Sequence, residues 1–178
     1  VREAWDDEDS ITVFMKIGNE TMSNHDVNDH GTFQIYYKGL LAATSGTYGG
    51  YGMPSHYYYH QATIAHNGLL IFNPAFADAE PDYDPSLPVT KRLKNAARYY
   101  YSGSQDMRPQ PDTIEKWTNG QYDMAETLGA AWGYYDDGTP RFAYIAGDLT
   151  NAYNSATVDF VGRRMLTVYT GNEDVPMV

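Results

Sequence analysis

Two short segments near the start of the chain alternate hydrophobic and polar residues. From Ile11 to Ile17 every second side chain is apolar, and the segment from Phe33 to Lys38 repeats the pattern with Phe33, Ile35 and Tyr37. Alternation with a period of two places the apolar side chains on one face of a β-strand. We predict that the two segments are neighbouring antiparallel strands.

Further β-rich segments are bounded by turn-forming residues. Ala62–Pro74, Arg141–Thr150 and Gly162–Thr170 are rich in apolar residues and flanked by Gly, Asn, Asp or Pro. Thr90–Tyr100 has helix formers, and Ser102–Asp123 carries the proline and glycine of a surface loop. Many short strands separated by turns predict an all-β fold, an antiparallel β-sandwich, as one domain over residues 1–178.

Composition fits this class and excludes some kinds of site. The 178 residues include 17 tyrosines and 16 glycines but no cysteine. Disulfides and thiolate metal sites are therefore excluded. No stretch has the sequence of a phosphate-binding glycine loop, and no nucleophile elbow occurs.

The charge argues against a nucleic-acid partner. The formal net charge is -11, and the 12 basic residues are scattered, whereas phosphate binding needs clustered Lys and Arg. No apolar stretch is long enough to cross a bilayer, so no membrane insertion is expected. Because the chain begins with Val1 and not with Met, we expect an excerpt of a longer protein.

The stretch "MSNHDVNDHG" (Met22–Gly31) has two histidines and two aspartates within six residues. It precedes the second predicted strand, and such loops commonly carry catalytic residues. The alternative is a polar turn in which Asp26, Asn28 and Asp29 bond the local backbone and His25 is incidental. Composition alone favours the turn.

Two later segments carry further candidate residues. "YGGYGMPSHYYYHQ" contains Tyr48, Tyr51 and His56, whose flat rings with polar edges suit stacking on sugar faces. A tyrosine-rich interface is the alternative. His66 lies in the apolar context "TIAHNG", where it is either a buried hydrogen-bonding residue or a ligand to a metal or carboxylate.

The order of these segments resembles a known enzyme family. The blocks "NHDVNDHGTFQIYYKGLLAATSGTY", "YGMPSHYYYHQATIAHNGLLIFNP", "GDLTNAYN" and "GRRMLTVYTG" follow one another over nearly the whole chain. They are similar to the β-sheet part of the heparinase II/III family of polysaccharide lyases, nearest to the heparinase II branch.

The resemblance implies a fold, a reaction and a location. Members have an N-terminal helical α/α toroid followed by a layered antiparallel β-sandwich, and they cleave acidic polysaccharides by β-elimination. This chain would be the sandwich, packed against the toroid of an exported bacterial lyase that is periplasmic or secreted. Its substrate would be a uronate-containing glycan, such as the glycosaminoglycans heparan sulfate and heparin or a less sulfated glycan. A homodimer stays open.

The resemblance also assigns residue roles. Asn24 would contact the uronate carboxylate, and His25 would be the general base that removes the proton at C5. The substrate-binding role of Tyr48, Tyr51 and His56 rests on their ring chemistry and not on the resemblance. The family's tyrosine acid/base would come from the toroid, outside this chain.

The family's structural zinc finds only part of its ligand set here. His66 matches one ligand, but the other two positions are occupied by Val27 and Thr44, which cannot replace a histidine and an aspartate. Asp29 and His30 are the substitutes within reach. We expect that no zinc is bound and that His66 is a buried hydrogen-bonding residue.

A different class of function remains as the alternative. An isolated sandwich could be a non-catalytic carbohydrate-binding module or a purely structural domain. A structural domain predicts that altering Tyr48, Tyr51 or His56 affects no ligand.

Overall fold

The structure is a computed structural model that describes residues 10–18, 27–46, 49–50, 53, 55–72, 103–105, 112–120, 122–153 and 157–169. The predicted helix Thr90–Tyr100 lies outside these residues. Within the described part, no helix is both long and apolar enough to span a membrane.

The first sheet contains three antiparallel strands in chain order. They are β1 (Thr12–Met15), β2 (Phe33–Tyr36) and β3 (Leu40–Ala42). Thr12 pairs with Tyr36 and Met15 with Phe33, so the predicted antiparallel pairing of the first two strands is confirmed. The sequence pattern missed β3, which follows a tight turn at Lys38, where φ is 52°.

Burial along β1 follows the predicted alternation. Val13 and Met15 are buried, whereas Phe14 between them is 51% exposed. The strand therefore turns one face toward the protein interior, as a period of two requires. Ile11, just before the strand, is also buried and continues the same face.

The second sheet also contains three antiparallel strands in chain order. They are β4 (Glu126–Tyr134), β5 (Pro140–Asp148) and β6 (Gly162–Val168). The last two confirm strands predicted from the sequence. The alanine- and glycine-rich β4 was missed, because small residues give little apolar periodicity.

Short helical turns connect the strands. A π-helical turn spans His56–His60, two 3₁₀ turns span Thr63–Ala65 and Thr150–Ala152, and α1 spans Ile114–Thr118. Residues 62–72 form no strand, so the prediction of a strand beginning at Ala62 was wrong for this part. The backbone of the segment instead makes the local hydrogen bonds of a turn, such as Ala65 N to Ala62 O at 3.0 Å.

A small core lies where the second sheet meets the loop that precedes β2. Its buried members are Met124, Ala125, Leu149, Ala152, Tyr153 and Val161. The first sheet approaches this region at two points. A Cβ added to Gly147 would lie 2.7 Å from Ile17, and the Arg163 guanidinium sits 4.9 Å from the centre of the Phe33 ring.

The described part of the chain is therefore strand-rich, with two antiparallel three-stranded sheets and few helices, as an all-β fold requires.

Candidate functional site

The loop of residues 27–32 runs into β2 and is fixed by its own backbone and by β1. Asp29 N donates to Val27 O at 3.0 Å, and Thr32 N donates to Asp29 O at 3.1 Å. Lys16 forms an ion pair with Asp29. The predicted turn, in which the side chains bond the local backbone, is wrong for Asn28 and Asp29: the Asn28 side chain bonds Gln105 O and the Asp29 side chain pairs with Lys16, whereas Asp26 lies outside the described residues.

Gln105 is the most connected of these distant residues. It is fully buried, and its side-chain Nε2 donates to His30 O at 2.6 Å and to the Tyr153 hydroxyl at 3.1 Å. Its Oε1 accepts from His30 N at 2.9 Å, and its backbone carbonyl accepts from Asn28 Nδ2 at 2.8 Å. A buried amide that is bonded on both sides fixes its neighbours firmly, because breaking any bond leaves an unpaired polar group.

Thr63 joins the same network to the later segment. Its hydroxyl donates to Asn28 O at 2.7 Å and accepts from Gln105 N at 3.0 Å. Asn28 N in turn donates to Gln61 O at 2.9 Å. The loop before β2, the turn at residues 61–63 and the segment at residue 105 thus meet around one buried hydroxyl.

His66 lies beside this network and is nearly buried. Its Nε2 is 3.1 Å from the carbonyl of His60, which can only accept, so Nε2 carries a proton. In the neutral ring, Nδ1 then accepts from the Thr44 hydroxyl at 3.1 Å. Burial lowers the pKa of His66, although the nearby Asp29 carboxylate acts in the opposite direction. The prediction that His66 is a buried hydrogen-bonding residue is consistent with this arrangement.

The rings of His56, His60 and His66 lie in a row. The rings of His56 and His60 are stacked with centroids 5.6 Å apart, and His60 meets His66 edge-on at 6.4 Å. His56 is only 1% exposed. A contact between His56 and a saccharide stays a prediction.

The other predicted site residues lie outside the described part. These are Asn24, His25, Tyr48 and Tyr51. The described residues resume at Val27, two positions after His25, and the backbone and side chain of the next residue, Asn28, are both hydrogen-bonded.

The residues at the family's zinc positions do not fit that metal. Val27 has no donor atom, and Thr44 offers a hydroxyl that bonds His66. Of the two substitutes, Asp29 is paired with Lys16 and His30 is buried with its backbone held by Gln105. Among the described residues, no three His, Cys, Asp or Glu side chains are grouped to hold a metal ion.

Sequence reasoning missed two residues of this region. Gln105 lies in the polar run "SGSQD", which gives no signal of burial. Arg163 begins the pair "RR" in a strand, and an arginine in an alternating pattern is ordinarily placed on the solvent side. Here Arg163 instead reaches toward the first sheet and donates from Nη1 to Asn67 O at 2.7 Å.

Comparison of the chain with protein-family models finds no match. A search of curated proteins finds none either. The family assignment therefore depends on the residues quoted from the sequence, and it stays a prediction.

Proposed function

We propose that this chain is the β-sandwich part of an exported bacterial polysaccharide lyase that cleaves a uronate-containing glycan by β-elimination. The proposal includes an N-terminal helical toroid that completes the active site. The two antiparallel sheets would be layers of the sandwich, and the loop before β2 would face the cleft.

One observation carries the proposal beyond sequence likeness. The blocks that resemble the family are separated in sequence, yet the described parts of two of them are in direct contact. Thr63, in the "ATIAHN" block, bonds Asn28 of the "NHDVNDHG" block at 2.7 Å. The Thr44 hydroxyl and Nδ1 of His66, at two of the family's ligand positions, lie 3.1 Å apart. Such contacts are expected if the two blocks form one site that was inherited from a common ancestor of the family.

The proposed reaction consumes no water. Asn24 donates to the uronate carboxylate and stabilises the negative charge that develops there as the C5–H bond breaks. His25, as a neutral imidazole, accepts the C5 proton. The electron pair forms the C4–C5 double bond, and the C4–O bond breaks. The leaving oxygen takes a proton from an acid that the toroid supplies.

The network around Asn28 supports such a role. A general base acts efficiently only if it is held within hydrogen-bond reach of the proton that it removes. The loop that follows His25 is tied at its backbone to Gln61, Thr63 and Gln105. A rigid attachment three residues after the proposed base limits how far the base can move.

The test is turnover by the full-length protein on uronate glycans, followed by the absorbance of the unsaturated uronate product. We expect His25→Ala to lower kcat by about 10² to 10⁴, the usual range for loss of a general base. Asp26→Ala, next in the chain, is the matched control and should leave kcat within a few-fold of wild type. Equal activity of the His25→Ala and wild-type proteins would refute the assignment. Saccharide binding without any turnover would favour the non-catalytic module.

A further inference from the structure

A groove of about 340 Å³ opens between β2 of the first sheet and β6 of the second. Its walls are apolar except at two adjacent arginines. The residues that line the groove include Phe33, Ile35, Arg163, Arg164 and Leu166. None of the described residues that line it is acidic.

Arg163 is placed to receive an anion. Its guanidinium lies over the Phe33 ring, and Nη1 donates to Asn67 O at 2.7 Å. Within the described part of the chain, no carboxylate forms an ion pair with it; the ion pairs there are Lys16–Asp29 and Lys116–Asp112. Burial lowers the pKa of Arg163, although a guanidinium stays protonated at neutral pH.

A partly buried arginine without an acidic partner is uncommon, because removing a charge from water is costly unless the charge is paired. A guanidinium has five N–H donors, and the contact with Asn67 uses one of its nitrogens. The remaining donors match the two oxygens of a carboxylate or sulfate group. Arg164 also lines the groove, but as the next residue of β6 it points to the opposite face of the sheet, so Arg163 alone provides the anion contact.

The net negative charge of the whole protein makes a basic groove unusual on its surface. The chain carries 23 acidic and 12 basic residues, so an anionic ligand is repelled by most of the surface. An acidic saccharide would therefore be attracted only where basic side chains gather without acids. The Phe33 ring adds a flat apolar wall, which suits the non-polar face of a sugar ring.

We propose that the groove between β2 and β6 is a subsite for an acidic saccharide, in which Arg163 binds the carboxylate or sulfate group of one sugar unit. This inference rests on the proposed function, because it supposes that the substrate is an acidic glycan. It adds a binding site for such a unit outside the positions that the resemblance assigns.

The experiment measures calorimetric binding of three tetrasaccharides to the full-length protein: an unsulfated one containing glucuronate, a sulfated counterpart, and a neutral one of equal length. We expect Arg163→Gln to weaken binding of the anionic probes about tenfold and to leave neutral-probe binding unchanged. Arg141→Gln is the matched control. Arg141 is exposed, and its backbone bonds Tyr169, about 20 Å along β6 from Arg163 by strand rise.

Arg163 also joins the two sheets, so its removal could disturb folding. Arg163→Lys keeps the charge but loses the forked donor geometry. We expect it to retain the wild-type melting temperature to within a few degrees and to lose about fivefold or more in affinity. Competition with inorganic sulfate and with free glucuronate shows which anion the groove binds. Sulfate should displace the probe from a sulfate-specific subsite, whereas free glucuronate should displace it from a carboxylate subsite.

The outcomes for the subsite and for the lyase are separable. Anionic binding that is equal in wild type, Arg163→Gln and Arg163→Lys would overturn the subsite, whether or not the protein has lyase activity. Absence of anionic binding in the wild-type protein would overturn it as well. Arginine-dependent binding without elimination of any uronate glycan would support the subsite and refute the lyase.

Discussion

The side-chain amide of Gln105 holds the backbone of His30 on both sides, with Nε2 donating to His30 O at 2.6 Å and Oε1 accepting from His30 N at 2.9 Å. Gln105 thus pairs with His30 as a neighbouring strand would. The two residues are 75 positions apart in sequence. This contact orders the loop that leads into β2, although that loop has no regular secondary structure of its own.

Removing this amide should destabilise the protein strongly. Gln105→Ala removes the side-chain hydrogen bonds to the buried N–H and C=O of His30 and opens a cavity, so we expect a loss of about 3 kcal/mol or more in the free energy of unfolding. Urea denaturation measures it. Gln34→Ala, at a partly exposed position of β2, is the control and should cost less than about 1 kcal/mol. Equal costs would show that the Gln105 contacts contribute little.

Two fully buried threonines should respond oppositely to the same substitution. Thr63 Oγ1 makes hydrogen bonds to Asn28 and Gln105, whereas Thr167 Oγ1 has no hydrogen-bond partner among the described residues. Thr63→Val should lose about 2 kcal/mol because it leaves two buried groups unpaired. Thr167→Val should be neutral or stabilising by up to about 1 kcal/mol. A similar loss in both variants, by thermal or urea unfolding, would contradict the difference.

Gly31 should not tolerate a side chain. Its φ is 73°, and an added Cβ would lie 2.3 Å from Cδ1 of Leu149, which is fully buried. Gly31→Ala should therefore cost at least about 2 kcal/mol from backbone strain and the clash together. Gly18→Ala is the matched control, since no atom of a non-adjacent described residue lies within 4 Å of the position that its Cβ would take and its backbone is not left-handed. Its unfolding midpoint should stay near that of wild type.

Alkaline pH should weaken the fold through Tyr153. Burial raises the pKa of Tyr153 above its usual 10.0, and its hydroxyl donates to Leu69 O at 2.7 Å. Since the folded pKa exceeds the unfolded one, the contribution to stability is complete below about pH 10 and is lost as the pH rises through the folded pKa.

The chain has 17 tyrosines. Comparing wild type with Tyr153→Phe separates the effect of titrating Tyr153 from that of titrating the other 16. The variant should be less stable at neutral pH, because it lacks the hydrogen bond, and it should lose less stability above about pH 10. Parallel stability curves for the two proteins in urea at increasing pH would show that Tyr153 titrates normally.

The purified protein should carry no stoichiometric zinc. The ligand positions of the family hold Val27 and Thr44, and the Thr44 hydroxyl already bonds His66. Elemental analysis after dialysis measures the zinc content. One tightly held equivalent would contradict this expectation and direct attention to Asp29 and His30 as ligands.

Much of the strand content was predictable because it depends on local pattern. The alternation from Ile11 to Ile17 and from Phe33 to Lys38 predicts two strands, and β1 and β2 form there. Only β1 has one buried face, whereas every side chain of β2 is at least partly exposed. The segment at Ala62 misled the same reasoning. Its apolar residues fit a strand equally well, but Thr63 is held by long-range hydrogen bonds in a turn.

The sequence alone determined the residue types on which the functional proposal depends: the Asn24–His25 pair, Val27 and Thr44 at the positions where the resemblance places zinc ligands, and the acidic balance that argues against a nucleic-acid partner. These are properties of composition and order. Only the tertiary structure decided that Gln105 is buried against His30 and that Arg163 lies over Phe33 beside an open groove. Both contacts join residues far apart in the chain, and side-chain burial at such positions depends on how the two sheets approach each other, which local pattern does not encode.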